Sequence, residues 1–92
     1  MIAFEWDDAK SERTRAERGF GFDEAALVFD GSVLEWCDIR QDWGEPRIVV
    51  IGAVMGRILT VVYTERGNTK RIISARVARK KEREAWQQSV AP

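Results

Sequence analysis

The cations in the second half of the chain are the residues whose types and spacing could do chemistry. Residues 51–92 carry nine bases and three acids, whereas residues 1–50 carry six bases and twelve acids. The formal net charge is zero, but the chain is polarised, so its C-terminal half can present a cationic surface to phosphate. The cations concentrate in Gly56–Arg83, where an apolar strand pattern leads through a turn into a strand that alternates cations with apolar residues.

The absence of histidine narrows the chemistry that such a surface could perform. With no His in the sequence, Ser-His-Asp, Cys-His and His-metal sites are excluded. Asp38, Asp42 and Glu45 are too loosely spaced for a metal motif, and no glycine-rich loop precedes a helix. Catalysis would then depend on stabilising a developing anion. Cleavage of RNA by its own 2′-OH is such a reaction, since arginine forks match phosphate oxygens and neither a metal nor a cofactor is required.

The strand predicted at Thr69–Arg76 carries the central cations. An alternating strand divides its side chains between the two faces of a sheet. The predicted division is Lys70, Ile72, Ser74 and Arg76 on one face and Arg71, Ile73 and Ala75 on the other. Charge alone leaves two interpretations open: phosphate binding, or edge-strand cations that oppose aggregation.

The elements that must position these cations form one α+β domain over residues 1–92. Asp7 is placed to cap a helix over residues 8–18 that Gly19 ends. A second helical pattern follows at 23–30, and a basic helix begins near Ala78 with Trp86 as its apolar anchor. Strands are predicted at residues 2–6, 33–39, 47–55, 58–65 and 69–76, with Gly56-Arg57 as a hairpin turn. The order is β-α-α-β-β-β-β-α, with an antiparallel meander.

Cysteine use and hydropathy indicate a cytoplasmic protein. Cys37 is the only cysteine, so no intrachain disulfide can form, which fits a reducing compartment. The chain opens with acids where a signal peptide needs a basic region. The longest apolar run, Ile48–Met55, is too short to cross a bilayer. We therefore expect no membrane partner.

Several short motifs follow one another along almost the whole chain. They are F-E-W-D-x-A-K at Phe4–Lys10, F-x-E-A at Phe22–Ala25, V-F-D at Val28–Asp30, D-x-R-x-D-aromatic-G-E-x-R at Asp38–Arg47, and G-R-x-L-x-V-V-Y-T-x-R-G…R-I-I-S-A-R-x-A at Gly56–Ala78. In order and spacing they resemble the BrnT toxins of bacterial toxin–antitoxin systems, small ribonucleases related in fold to the RelE toxins. The resemblance implies a RelE-like fold and an endoribonuclease that cuts mRNA and slows translation.

The resemblance also implies a partner and a set of site residues. The partner is a BrnA-like antitoxin with a ribbon-helix-helix domain, and operator DNA is bound only through it. The implied catalytic candidates are Arg66, Arg76, Lys10 and Glu45, and the implied phosphate-binding candidates are Arg71, Arg79 and Lys70. Lys10 would act as a general acid or phosphate contact and Glu45 as a base, although Glu45 could instead pair with Arg47 or Arg40 and shape the loop. Tyr63 is expected in the core.

One position departs from the family pattern. Many relatives end the first helix with N-L-x-K-H-G, and the position of that His is Arg18 here, which cannot act as a base near neutral pH. Two functions therefore remain open. The chain is either a metal-independent endoribonuclease, or a weak or inactive homologue that binds the antitoxin and contributes to repression. A nucleic-acid-binding module unrelated to toxins is a third interpretation, distinguished by salt-dependent binding without cleavage.

Overall fold

The computed structural model describes residues 2–40 and 44–90, which form three helices, a short 3-10 helix and five strands. In chain order these are β1 (Ala3–Glu5), α1 (Asp8–Arg18), α2 (Phe22–Ala25), the 3-10 helix (Ala26–Asp30), β2 (Val33–Asp38), β3 (Arg47–Val54), β4 (Arg57–Arg66), β5 (Thr69–Val77) and α3 (Lys80–Val90). The predicted α+β class and element order are confirmed. Within the described residues, no helix is long and apolar enough to span a bilayer.

The five strands form one sheet in the order β1-β5-β4-β3-β2. Strands β2 to β5 are antiparallel neighbours, which confirms the predicted meander. Strand β1 pairs in parallel with β5, with Ala3 opposite Thr69 and Glu5 opposite Arg71. The sequence predicted an edge strand at this position but not its partner, because a short strand carries no local pattern that selects a neighbour.

The hydrophobic core lies between the sheet and the segment formed by α2 and the 3-10 helix. Phe22, Val28, Val50, Val61 and Tyr63 are each at most 1% exposed. We call the side of the sheet that packs against these helices the helical face. Helix α3 lies on the other side, where it packs mainly against β2 and β3. The 3-10 helix approaches the sheet so closely at Gly52 that an added Cβ atom would lie 2.7 Å from Cγ2 of Val28.

The hairpin between β3 and β4 is displaced by one residue from its predicted position. Val54 pairs with Arg57, so the turn residues are Met55 and Gly56 rather than Gly56 and Arg57. Both have positive φ, 51° and 81°, which matches the twist of antiparallel strands better than an ordinary turn does. The displacement lengthens β4, and the guanidinium of Arg57 lies 5.9 Å from the centre of the Phe20 ring.

Helix α1 has the predicted ends but is attached by polar side chains. The side chain of Asp7 accepts a hydrogen bond from the backbone of Lys10, and Gly19 ends the helix with φ 86°. Because α1 has few apolar residues, its buried positions are Ser11 and Thr14. The Oγ of Ser11 accepts a hydrogen bond of 2.9 Å from the Phe22 backbone N–H, which joins α1 to the start of α2.

Candidate nucleic-acid interface

A β-bulge in β5 decides which cations share a face of the sheet. Tyr63 lies opposite Ile72, but Val62 lies opposite Ser74, so Ile73 is an extra residue in β5. Beyond the bulge the alternation is shifted by one residue. The prediction that Lys70 and Ile72 share a face with Ser74 and Arg76 is therefore wrong. The resulting division is Lys70, Ile72, Ala75 and Val77 on the helical face and Arg71, Ser74 and Arg76 on the other. We call this second side the cationic face.

Two cations of α1 hold the edge of β5 at the bulge. The Nζ of Lys10 donates a hydrogen bond of 2.6 Å to the carbonyl of Ile73, the extra residue. The guanidinium of Arg18 donates one of 3.0 Å to the carbonyl of Ala75. These carbonyls lie beyond the last residue of β1 that pairs with β5, where a strand edge would otherwise lack partners. Lys10 and Arg18 therefore bind backbone at the sheet edge.

Lys70 lies on the helical face, in a polar contact with Tyr63. Its Nζ donates to Glu65 at 2.9 Å and to the Tyr63 hydroxyl at 3.4 Å, and it lies 4.5 Å from the centre of the Tyr63 ring. The Tyr63 hydroxyl donates to Glu35 at 3.0 Å. Burial raises the pKa of Tyr63, and the Glu35 carboxylate raises it further. The expectation that Tyr63 belongs to the core is confirmed, and Lys70 is separated by the sheet from Arg71 and Arg76.

Arg76 holds a carboxylate in a bidentate contact on the cationic face. Its Nη1 and Nη2 donate to the two Glu82 carboxylate oxygens at 2.7 and 2.9 Å. The Thr60 hydroxyl and the Arg79 backbone N–H donate to the same carboxylate at 3.2 and 2.8 Å. The hydrogen bonds from Arg76 lower the pKa of Glu82 to about 2, and the Arg79 N–H adds to the effect against the cost of burial. Four donors thus converge where an oxyanion binds.

The other predicted cations have looser partners. Arg66 lies 3.3 Å from the Glu45 carboxylate, and Arg71 lies 3.9 Å from that of Glu5. Glu45 therefore contacts Arg66, a partner that the sequence did not suggest. Within residues 2–40 and 44–90, the Arg79 guanidinium has no ion pair, and Arg79 is exposed at the start of α3. Arg66 and Arg71 can therefore exchange these contacts for a phosphate at little cost, and Arg79 has no ion pair among the described residues to give up.

The cations of the cationic face form a row along the strands rather than one cluster. Arg76 is opposite Thr60, Arg71 is opposite Thr64, and Arg66 ends the same strand. At ~3.4 Å per residue, Arg71 is about 14 Å and Arg66 about 20 Å along the sheet from Arg76. Arg66 and Arg76 are too far apart to meet at one phosphorus atom. A row of this length is suited to contacts at several points along an extended chain rather than at one atom.

A cleft of about 320 Å³ lies beside Arg76 on the cationic face. Its walls include Thr60, Val62, Arg76, Arg79, Glu82 and the indole of Trp36. Trp36 was not among the predicted site residues. A tryptophan in a strand next to charged residues was the available signal, but the sequence does not show which face of β2 meets the cations. Two of its neighbours in the cleft wall are Asp38 and Arg40.

Asp38 and Arg40 form a second carboxylate–guanidinium pair at the cleft. Two guanidinium nitrogens of Arg40 donate to the two Asp38 oxygens, each at 2.8 Å. These hydrogen bonds lower the pKa of Asp38 to about 2. Asp42 and Trp43, which complete the predicted loop motif, lie outside the described residues. In the part of the chain that is described, no three His, Cys, Asp or Glu side chains are grouped as ligands for a metal ion.

Comparison with known proteins assigns the family. A search of curated proteins found no match. The family model described as the ribonuclease toxin BrnT of type II toxin–antitoxin systems matches residues 6–82. That span runs from α1 to the start of α3 and includes the whole cation row and its carboxylate partner Glu82. The chain therefore belongs to the BrnT family of ribonuclease toxins, whose type II systems pair each toxin with a protein antitoxin.

Proposed function

We propose that this toxin cleaves mRNA endonucleolytically on the cationic face, without a metal ion, and thereby inhibits translation. The observation that carries the proposal is the convergence of four donors from Arg76, Thr60 and Arg79 on one carboxylate beside an open cleft. The same donor geometry suits two oxygens of a phosphodiester. Arg71 and Arg66 continue the row and would bind neighbouring phosphates of the same strand.

The proposed reaction uses the ribose 2′-OH as nucleophile. The 2′-oxygen gives its proton to water and forms a bond to the adjacent phosphorus, the bond from phosphorus to the 5′-oxygen breaks, and that oxygen takes up a proton from water. The products are a 2′,3′-cyclic phosphate and a 5′-hydroxyl. Negative charge grows on the non-bridging oxygens between these steps. Preorganised N–H donors stabilise such charge, and losing one typically costs about 10²–10³ in rate. Arg76 is the proposed donor at the reacting phosphate, with the exposed Arg79 guanidinium beside it.

The remaining candidates receive other roles in the proposal. Arg66 lies about 20 Å along the sheet from Arg76, and Glu45 contacts Arg66. The two would therefore bind and orient a flanking nucleotide rather than act at the reacting phosphorus. Lys70 packs on the helical face with Tyr63 and would not touch RNA. Lys10 would support the reaction indirectly, through its hydrogen bond to the bulge carbonyl of Ile73.

We further propose the partners that the sequence motifs imply. The protein antitoxin would be a BrnA-like protein with a ribbon-helix-helix domain, and operator DNA would be contacted only through it. Since the cationic face is the proposed RNA site, an antitoxin that covers this face would block cleavage directly. We place the toxin in the cytoplasm, because its proposed substrate, mRNA, is found there. The free thiol of Cys37 also fits this reducing compartment.

The test is RNA cleavage by purified, antitoxin-free protein in the presence of a chelator. We expect products from an all-ribose oligonucleotide and none from the same sequence with 2′-deoxy sugars. Arg79→Ala should lower the cleavage rate without breaking an ion pair of the fold, because the Arg79 side chain has none among the described residues. Arg76→Ala should lower the cleavage rate by about 100-fold or more. Arg13→Ala removes the same charge from an exposed position of α1 and should leave cleavage unchanged.

Three results would overturn the proposal. They are cleavage that disappears with the chelator, cleavage of the deoxy oligonucleotide, and full activity of both Arg79→Ala and Arg76→Ala. Absence of cleavage together with a stable antitoxin complex would instead establish the second function left open by the sequence. In that case the chain is an inactive homologue that binds antitoxin. Arg18→His, which restores the family's histidine, would then be the first substitution to test for recovery of cleavage.

A further inference from the structure

Trp36 is a large aromatic residue that the core does not use. It lies in the middle of β2, opposite Val49, and is 42% exposed. Tryptophan is highly buried on average in folded proteins. Neither the buried core cluster nor the partly buried residues packed against it include Trp36. The fold therefore leaves about two-fifths of the Trp36 surface exposed on the cationic face, outside the hydrophobic core.

The register of the sheet places the indole across an apolar floor from the phosphate-binding donors. Trp36, Val49, Val62 and Ser74 form one cross-strand row. The next row on the same face contains Thr60 and ends at Arg76. Strands are ~4.8 Å apart and residues rise ~3.4 Å, so the Cα atoms of Trp36 and Arg76 are about 16 Å apart. Side chains from both ends reach into the cleft between them.

The cleft has the size and the lining of a ligand site. Its volume of about 320 Å³ falls at the lower end of the ~300–1,000 Å³ typical of such sites. Trp36, Val49 and Val62 form an aromatic and apolar part of the lining. The polar part contains Thr60 and the arginines, together with the carboxylates of Asp38 and Glu82. A nucleotide has the same division, with a flat base at one end and a phosphate at the other.

We propose that Trp36 is a stacking platform for one base of the bound RNA, adjacent to the nucleotide whose phosphate is held at Arg76. The inference rests on the proposed function, because it assumes that the cationic face binds RNA. Single-stranded RNA is typically read by unstacked bases that pack on aromatic side chains. Stacking of this kind is tolerant of base identity, because every base has a π face. Trp36 would therefore fix the register of the strand, so that a phosphate meets the Arg76 donors.

An exposed tryptophan also suits a protein interface. The chemistry of the cleft favours RNA over a protein partner. The lining contains three arginines, Arg40, Arg76 and Arg79, and two carboxylates, those of Asp38 and Glu82, so the cleft carries one net positive charge. Cations combined with an aromatic platform are the pattern of single-strand binding. If Trp36 instead bound the antitoxin, its replacement would weaken only the complex with that protein.

The experiment uses an end-labelled RNA oligonucleotide with a 2′-O-methyl group at each ribose, which makes it resistant to cleavage. Binding to the protein is measured by fluorescence anisotropy. Trp36→Leu removes the ring and keeps an apolar side chain, and Trp36→Phe keeps a smaller ring. Leu27→Ala is the matched control, since Leu27 is an apolar residue with a similar exposure, 44%, and lies in the 3-10 helix, away from the cleft. We expect Trp36→Leu to weaken binding by about tenfold and Trp36→Phe by much less. Thermal unfolding should be close to wild type for all three variants.

A second set of oligonucleotides identifies stacking itself. Each carries one abasic residue in place of a different base. Where the missing base is the one that stacks, wild-type protein and Trp36→Leu should bind equally well, whereas the difference should persist at other positions. The proposal is overturned if Trp36→Leu binds intact RNA as the wild type does, or if its loss is the same for every abasic position. It is also overturned if Trp36→Leu weakens only the complex with a ribbon-helix-helix antitoxin.

The outcomes separate this inference from the function on which it rests. If wild-type protein cleaves and binds RNA but Trp36→Leu is unaltered, the stacking proposal alone fails. If wild-type protein neither binds nor cleaves RNA, the proposed function fails and the stacking proposal fails with it.

Discussion

Replacing Glu82 by glutamine removes one charge from the carboxylate that Arg76, Thr60 and Arg79 bind, with little change in shape. The Glu82 side chain is 19% exposed and that of Arg76 is 31% exposed, so the pair is partly shielded from water. The Glu82 pKa is lowered from 4.5 to about 2, first by the hydrogen bonds from Arg76. Because the folded pKa is depressed, the ionised pair stabilises the protein above the unfolded pKa, and this stabilisation is lost as the pH falls.

The size of the effect follows from the two pKa values. A carboxyl pKa that falls from 4.5 to about 2 corresponds to at most about 3 kcal/mol of unfolding free energy near neutral pH. By about pH 3 the unfolded carboxyl is mostly protonated, and about 1.4 kcal/mol of this contribution remains. Solvent near the pair reduces both values, so we expect Glu82→Gln to cost about 1–2 kcal/mol near neutral pH. The difference from wild type should shrink by more than half at about pH 3.

The assay is urea unfolding of both proteins across this pH range, followed by far-UV circular dichroism. Glu84→Gln is the matched control, because Glu84 lies on the same helix, is exposed and has no ion pair within the described residues. The control should remain within about 0.5 kcal/mol of wild type. The reasoning is refuted if Glu82→Gln and wild type lose stability in parallel as the pH falls. Equal effects of Glu82→Gln and Glu84→Gln would refute it as well.

RNA binding provides a second readout of the same variant. If the Glu82 carboxylate occupies donors that a phosphate would use, its neutralisation should tighten RNA binding although it lowers stability. Opposite signs in the two assays are not expected from a variant that merely loosens the fold. Weaker RNA binding by Glu82→Gln, with Glu84→Gln unchanged, would show that the carboxylate supports the site instead of competing for it.

Two further substitutions test the elements that position the site. Lys10→Met removes the hydrogen bond to the Ile73 carbonyl and should lower stability by about 1–2 kcal/mol in urea unfolding. Its RNA cleavage in the absence of denaturant should fall far less than that of Arg76→Ala, and equal losses would indicate that Lys10 acts in the chemistry. Gly52→Ala places a Cβ atom 2.7 Å from Val28 and should lower the free energy of unfolding by about 1–3 kcal/mol. An unchanged urea midpoint would show that the 3-10 helix can move away.

Local patterns were sufficient to predict most of the elements. The ends of α1 followed from Asp7 and Gly19, because capping depends on side-chain chemistry within one turn. Trp86 was predicted as the apolar anchor of the last helix, and its indole N–H donates to the Ser32 carbonyl at 2.9 Å. The hairpin turn was displaced by one residue, since Met55 accepts positive φ at a position where the sequence favours the glycine.

The arrangement of the candidate site residues could not be predicted from the sequence. The sequence proposed Arg71 and Arg76 as candidate phosphate-binding cations but assigned them to opposite faces. It grouped Lys70 with Arg76, and it did not single out Trp36. A face assignment from alternation assumes an unbroken period of two residues, and one extra residue reverses every assignment beyond it. No residue type in β5 marks Ile73 as the extra one.

By itself, the sequence determined that this protein is an α+β domain, that it has no histidine, and that its motifs are those of BrnT toxins. The tertiary structure decided which of the candidate arginines share a face of the sheet. The bulge at Ile73, with the Lys10 ammonium bound to its carbonyl, turns Arg71 and Arg76 to one face and Lys70 to the other. The physical reason is that strand periodicity is local, whereas the pairing register that interrupts it is set by contacts between residues far apart in the chain.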